Sequence, residues 1–368
     1  MKGPVPLRVV PAVLALAVGL AATAGVAGCS ATADKVQGLG GGDGAAGEGG
    51  GEGSVSRGDG GVADASHDAG HDAMGDADAT TACPRFGDAG ASVLLYELAA
   101  GAFPDAGTPS VAVHVPPGFD PGSRPGVIAF FHGFDNCVAN VVGAIDGPCV
   151  DGGAARVAMH LVEQLDAARV NAILVAIELD ADQAIGDPGQ LATSGDFRAL
   201  LHELFTQHLD AVLGCPLDVD GLDRVVVSSH SGGYWATASV LAQGMVAQIT
   251  EVDLLDSLYG EQPTFDGWMQ SSLARFAPGR PDELRWVDVY TESGGTAANS
   301  RAMAASAQAW LDDAGLAASY FDDDTTDTLD AATYAHPVIF KLSGLTHDEV
   351  PQYYFGELAR AGGFAVIP

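Results

Sequence analysis

Val225-Val226-Val227-Ser228-Ser229-His230-Ser231-Gly232-Gly233-Tyr234 is an apolar run that breaks into a turn of small residues. Three consecutive valines favour a strand covered on both faces. A helix-compatible stretch, Tyr234–Gln243, follows at once. The chain must therefore leave the strand, turn sharply and enter the helix within a few residues. A turn this tight needs small side chains two positions before and two after its centre, and Ser229 and Gly233 meet that need. Ser231 stands at the centre, above the carboxyl edge of the strand and at the start of the helix. Free backbone N–H groups there favour negative charge.

Working outward, strands and helices alternate. Strands are expected at Ser92–Glu97, Ser110–Val115, Gly126–Phe131, Asn171–Ile177, Arg224–Ser228, Val252–Leu255, Arg285–Tyr290 and Val338–Leu342. Helices are expected at Ala154–Ala168, Phe197–Leu213, Tyr234–Gln243, Phe265–Phe276, Ser300–Ala314 and Glu349–Ala361. Leu200, Leu201, Leu204, Phe205, Leu209 and Val212 give the second of these an apolar side. This alternation implies a mostly parallel central sheet with helices on both faces.

Upstream, Val127-Ile128-Ala129-Phe130-Phe131 ends in His132-Gly133-Phe134-Asp135-Asn136, preceded by Val115-Pro116-Pro117-Gly118-Phe119-Asp120. Together with the Ser231 turn, these segments resemble the α/β-hydrolase superfamily of esterases, lipases and depolymerases. Ser231 matches the nucleophile elbow, with Ser229 standing where that family usually has Gly. The resemblance runs from about Ser92 to the end of the chain. It implies a serine nucleophile and an oxyanion hole supplied by Gly232 together with Gly133 or Phe134, His132 orienting the loop. It also implies a chain order of Ser, acid, His. His347 follows the last expected strand, in Ser343-Gly344-Leu345-Thr346-His347, and is the expected base; His336 lies at that strand's other end. For the acid, Asp256 in Val252-Asp253-Leu254-Leu255-Asp256 is favoured, because a carboxylate among apolar residues calls for a partner. Glu292 in Thr291-Glu292-Ser293-Gly294-Gly295 is the rival. Tyr234 and Trp235 either line the acyl pocket or belong to the core.

The ends and the charge set the context. Lys2 and Arg8 precede an apolar run from Val9 to Val26, closing on Val26-Ala27-Gly28-Cys29. Residues 1–28 read as a signal peptide, and the closing residues resemble a bacterial lipobox, which implies lipidation of Cys29. Residues 29–81 are Gly, Ala, Asp and Ser with few large apolar side chains, the composition of a flexible acidic tether. Residues 82–368 form the expected hydrolase domain. The chain is therefore expected to be exported and lipid-anchored, at the outer membrane or cell surface. Cys83, Cys137, Cys149 and Cys215 remain, an even set for an oxidising compartment. Three connectivities are open; the near pair Cys137 and Cys149 is preferred, leaving Cys83 with Cys215, and free thiols are the alternative.

A net charge of -32 argues against a phosphate-neutralising surface, so no nucleic-acid partner is expected. No phosphate loop, zinc-finger spacing or His-Glu-x-x-His motif is present, and no cofactor or metal is expected. The acidic run 322–330 lacks EF-hand spacing and is expected to be a solvated loop. The expected function is hydrolysis of an ester-containing substrate, a polymer among the candidates. An amidase or peptidase with the same residues is one alternative, a non-catalytic surface-binding protein another.

Overall fold

A computed structural model of the chain describes residues 83–87 and 93–368, apart from 107, 151, 181–185, 245, 324–328 and 331. The expected signal peptide, Cys29 and the tether lie outside the described residues, as does the middle of the acidic run. The strands are β1 (Leu94–Tyr96), β2 (Val111–His114), β3 (Gly126–Phe131), β4 (Gly147–Pro148), β5 (Ala155–Arg156), β6 (Ala172–Ile177), β7 (Arg224–His230), β8 (Ile249–Leu255), β9 (Arg285–Thr291), β10 (Tyr320–Asp323) and β11 (Val338–Ser343). The helices are α1 (Val138–Val141), α2 (Leu161–Ala168), α3 (Asp196–Glu203), α4 (Asp210–Leu213), α5 (Tyr234–Gln243), α6 (Gln262–Ser271), α7 (Ala297–Asp313) and α8 (Glu349–Ala361).

Nine strands form one sheet in the order β1-β2-β6-β3-β7-β8-β9-β11-β10, while β4 and β5 pair as a separate hairpin. β2 runs antiparallel to both neighbours, and the strands from β6 to β10 are parallel. Every residue of β3 and β6 is buried, as their unbroken apolar sequences require. Alternate side chains serve opposite faces. Val127, Phe131, Val175 and Val227 pack with Phe197, Leu200, Phe205 and Val240 of the α3 and α5 side. Further along the same face, Val252, Trp286 and Phe340 meet α6 and α7 through Phe265, Met269 and Ala307. The other face carries Ile128, Phe130, Leu174, Val226 and Val287 against Leu165, Tyr354 and Leu358 of α2 and α8. This is an α/β-hydrolase fold, a mostly parallel central sheet with helices on both faces.

From β3 the chain steps to β6 on one side and then returns past it to β7 on the other. The loops after β3 and β7 therefore diverge above the carboxyl edge, which opens a crevice where open α/β sheets bind ligands. The His132–Asn136 segment and Ser231 are the residues placed there.

Three local expectations differ from the structure. Helix α2 starts at Leu161, whereas Ala155–Arg156 pairs with Gly147–Pro148. The Asp146 carboxylate accepts from Ala158 N–H at 2.9 Å, and His160 takes left-handed backbone at φ 56, so the helix does not begin before Leu161. The Phe197–Leu213 helix is continuous but passes through a π segment, Leu204–Leu209. Asp322 and Asp323, expected in a loop, end the edge strand β10, where Asp323 lies 3.6 Å from the buried Lys341 ammonium. Asp322 is exposed, as expected, but composition alone read Asp323 as solvated too and missed the cation on the neighbouring strand. The cysteines pair as Cys83–Cys215 and Cys137–Cys149.

Candidate active site

Ser231 follows β7 directly and opens a short turn into α5. Its φ is 53°, left-handed backbone that a non-glycine residue adopts only where its surroundings enforce it. The enforcement is steric. A Cβ at Gly233 would lie 2.5 Å from the Phe131 carbonyl, and one at Gly133 would lie 2.5 Å from Ser231 Cβ. The end of β3 and the turn after β7 thus touch through two positions that must lack side chains. Ser229 is fully buried and its hydroxyl lies 2.9 Å from that of Ser257. Ser257 Oγ donates to the Ser231 carbonyl at 2.8 Å, so Ser229 is the donor to Ser257. The serine in place of glycine thereby ties the turn to the loop after β8.

That loop carries Asp256, fully buried and itself at φ 49. Its carboxylate accepts from Thr291 N–H at 3.0 Å, Thr291 Oγ1 at 2.7 Å, Thr296 Oγ1 and His347 Nδ1, the last at 2.6 Å. Burial pushes this carboxyl up. The hydrogen bonds from His347, Thr296 and Thr291 outweigh it and hold the group below the usual carboxylate range. Gly294 completes the cradle, since a Cβ there would fall 1.9 Å from Asp256 Oδ2.

His347 sits between β11 and α8, its side chain 28% exposed. With Nδ1–H given to Asp256, Nε2 keeps the lone pair. Against its ring lies that of His230, 4.4 Å between centroids and tilted 37°. His230 Nε2–H donates to the His347 carbonyl at 3.1 Å, leaving Nδ1 buried without a partner. Burial, with the neighbouring His347, pushes the His230 imidazole down to about 3, so it is neutral at working pH. Tyr259 meets His347 edge-on at 6.2 Å and packs beside Tyr234 at 6.1 Å. Its hydroxyl donates to the Gly294 carbonyl. Burial, then the Asp256 charge, raises its phenol to about 12, so it stays protonated.

On the opposite side, His132 is buried. Its Nδ1–H donates to the Gly133 carbonyl at 2.8 Å, and Nε2 lies 2.9 Å from Glu178 Oε1. Glu178 Oε2 accepts from Val138 N–H at 3.0 Å, which anchors the far end of the same loop. Within it, Asp135 adopts φ 62 and pairs with Arg156 of the β5 strand at 2.7 Å. The Cys137–Cys149 bond joins the loop's end to the connection between the two strands of that hairpin. Phe134 is left 47% exposed. A cavity of about 160 Å³ runs between Phe134, Asp135, Arg156 and Asp348.

The structure therefore brings Ser231, Asp256 and His347 to one edge of the sheet, with Gly133 packed against Ser231 and Gly232 immediately after it. Glu292, the rival acid, does not join them; it is exposed and pairs with Arg301. Tyr234 packs against the core on the α6 and α7 side and also touches Tyr259. His230, Ser257, Thr291, Thr296 and Gly294 were not singled out from sequence. The one available signal was the Thr-rich, Gly-rich segment Thr291–Thr296 directly after a buried strand.

No family profile and no curated protein sequence matches this chain. Among solved structures, the S954A mutant of a feruloyl esterase module from Clostridium thermocellum, complexed with sinapinate, is similar at 15% identity. That alignment covers 76% of this chain and 89% of the other, with a TM-score of 0.44. The enterobactin hydrolase IroE in complex with DFP is similar at 13% identity, covering 69% and 88%, with a TM-score of 0.34. Thermogutta terrifontis esterase 2 phosphonylated by sarin is similar at 12% identity, covering 75% and 94%, with a TM-score of 0.37.

Proposed function

We propose that this chain is a serine hydrolase that cleaves carboxylic esters through an acyl-enzyme. The observation that carries the reading is the 2.6 Å contact between Asp256 and His347 Nδ1, beside a serine held at φ 53. In this reading Asp256 fixes the tautomer that leaves His347 Nε2 free to take the Ser231 proton. Ser231 Oγ attacks the ester carbonyl, and the oxyanion is received by the N–H groups of Gly232 and of Phe134 or Gly133. His347 returns the proton to the departing alcohol. It then activates a water that releases the acid.

Phe134 and Tyr259, 47% and 36% exposed, flank the site and favour an apolar or aromatic group on the substrate. No deep tunnel is needed for such a group, which suits an esterified polymer met at a surface. The lipobox-like Val26–Cys29 supports placing the enzyme on an exported, lipid-anchored chain, with the acidic tether spacing it from the membrane. Among the described residues no helix is long and apolar enough to cross a membrane.

The test is labelling with a fluorophosphonate probe. Labelling of the wild type that Ser231→Ala and His347→Ala both abolish, with folding intact, is the expected result. A folded wild type that takes no label overturns the reading.

A further inference from the structure

The crevice holds a second arrangement of groups. One ring nitrogen each of His230 and His347 and a carboxylate oxygen of Asp348 all lie within 4.8 Å of one another. We infer that these three side chains form a binding site for a zinc-like divalent cation, and that occupancy of this site switches off the Ser231 chemistry. The inference rests on the hydrolase reading for the word "off" but not for the word "site".

Two further observations support a metal. The Nδ1 lone pair of His230 is buried and has no partner, because its Nε2–H is committed to the His347 carbonyl. Buried imidazole nitrogens are ordinarily satisfied, so a lone pair left over beside His347 is a vacant donor. His347 is also prepared as a ligand. A metal-binding histidine characteristically gives its other N–H to a carboxylate, which orients the ring and strengthens the ligating nitrogen. Asp256 does this to His347 at 2.6 Å. The same contact that fits His347 to be a general base fits it to be a zinc ligand.

The donor set decides which ion. Two imidazole nitrogens and one carboxylate suit zinc and its neighbours in the first transition row, whereas calcium and magnesium prefer all-oxygen shells. Three protein ligands leave a coordination position open to water. The three ligand atoms lie within 4.8 Å of one another; Asp348 is exposed and is the group that would close on the ion, while the two rings already lie against each other. The consequence for chemistry is competitive. The His347 lone pair accepts either the Ser231 proton or the cation, so a bound ion removes the general base without touching the nucleophile.

The experiment follows the rate of fluorophosphonate labelling of the purified full chain across a zinc titration, with Asp348→Ala beside the wild type. Because Asp348 borders the cavity beside Phe134, each protein is compared with its own metal-free labelling rate. Zinc should suppress labelling of the wild type, EDTA should restore it, and calcium and magnesium should leave it unchanged. Asp348→Ala should need at least about tenfold more zinc for the same suppression. Labelling that zinc leaves untouched, or suppresses equally in both proteins, overturns the site. Should the metal-free wild type take no label at all, the hydrolase reading fails on its own. Zinc calorimetry on wild type against Asp348→Ala then decides the site: a binding event present only in the wild type supports it, and identical isotherms overturn it.

Discussion

The carboxylate of Asp256 and the imidazole of His347, separated by 91 residues, meet at 2.6 Å across the ends of β8 and β11. Three further donors, two from Thr291 at the end of β9 and one from Thr296 in the loop after it, hold the carboxylate in place. Asp256→Asn should keep the fold and lower kcat roughly a thousandfold to ten-thousandfold, because the amide imposes the wrong tautomer on His347. Asp256 also contributes to stability. Its folded value is depressed, so this contribution is fully present above the unfolded value near 3.8 and is lost as the pH falls through the folded value. Urea midpoints of wild type and Asp256→Asn, far apart at neutral pH, should converge below about pH 4.

Glu292 provides the matched control. It is exposed and pairs only with Arg301 at the surface. Glu292→Gln should change kcat/KM by less than about twofold, in keeping with the small worth of exposed ion pairs. A loss as deep as that of Asp256→Asn would reassign the acid.

His230 holds the His347 loop through its ring and one hydrogen bond. His230→Phe preserves the ring contact and removes the donor. A base displaced by a fraction of an ångström should cost about tenfold or more in kcat, with KM little changed. Neutral burial has a second signature. With the folded value near 3 and the unfolded value at 6.5, the unfolded chain binds the extra proton between those limits. Wild-type stability is therefore lost as the pH falls from 6.5 towards 3. The Phe variant, which has no proton to take up, should show a shallower slope over that window.

Asp288 on β9 is fully buried, and burial raises its carboxyl to about 8. The folded state therefore binds this proton more tightly than the unfolded state, and stability falls as the pH rises from about 4 to 8. Asp288→Asn carries no such penalty. Its Tm relative to wild type should rise across that range and level off above pH 8. A Tm difference independent of pH would show that burial does not set this group's titration.

The two disulfides should separate stability from activity. Cys83–Cys215 closes a span of 132 residues and lies away from the crevice, so replacing both cysteines by Ala should cost about 3–5 kcal/mol of stability and little kcat. Cys137–Cys149 spans 12 residues at the end of the His132–Asn136 loop. Its double replacement should lower kcat more than it lowers the urea midpoint.

Much of this was legible in the chain. The small residues around Ser231 follow from the sharpness of a strand-to-helix turn, and unbroken apolar runs mark β3 and β6 without ambiguity. Position after the last strand singled out His347 over His336. The choice between Asp256 and Glu292 was open because it depends on which loop reaches the histidine, and reach is tertiary. Burial of Asp256 among Thr291 and Thr296 separates the two. His230 went unnoticed because the turn places no steric demand on that position, so its type carries no pattern. Strand β5 falls within the expected Ala154–Ala168 helix because nothing local distinguishes Ala154–Val157 from a helix entry.

Gly294 and Asp256 sit in different loops, yet they share one volume. A Cβ at 294 would occupy the space of Asp256 Oδ2. The loop after β9 is therefore a mould cast around a side chain borne by the loop after β8, and neither wall can gain an atom unless the other yields one. Substitutions at these two positions are expected to be tolerated together or not at all, which makes the pair a unit of inheritance although 37 residues of chain lie between its members.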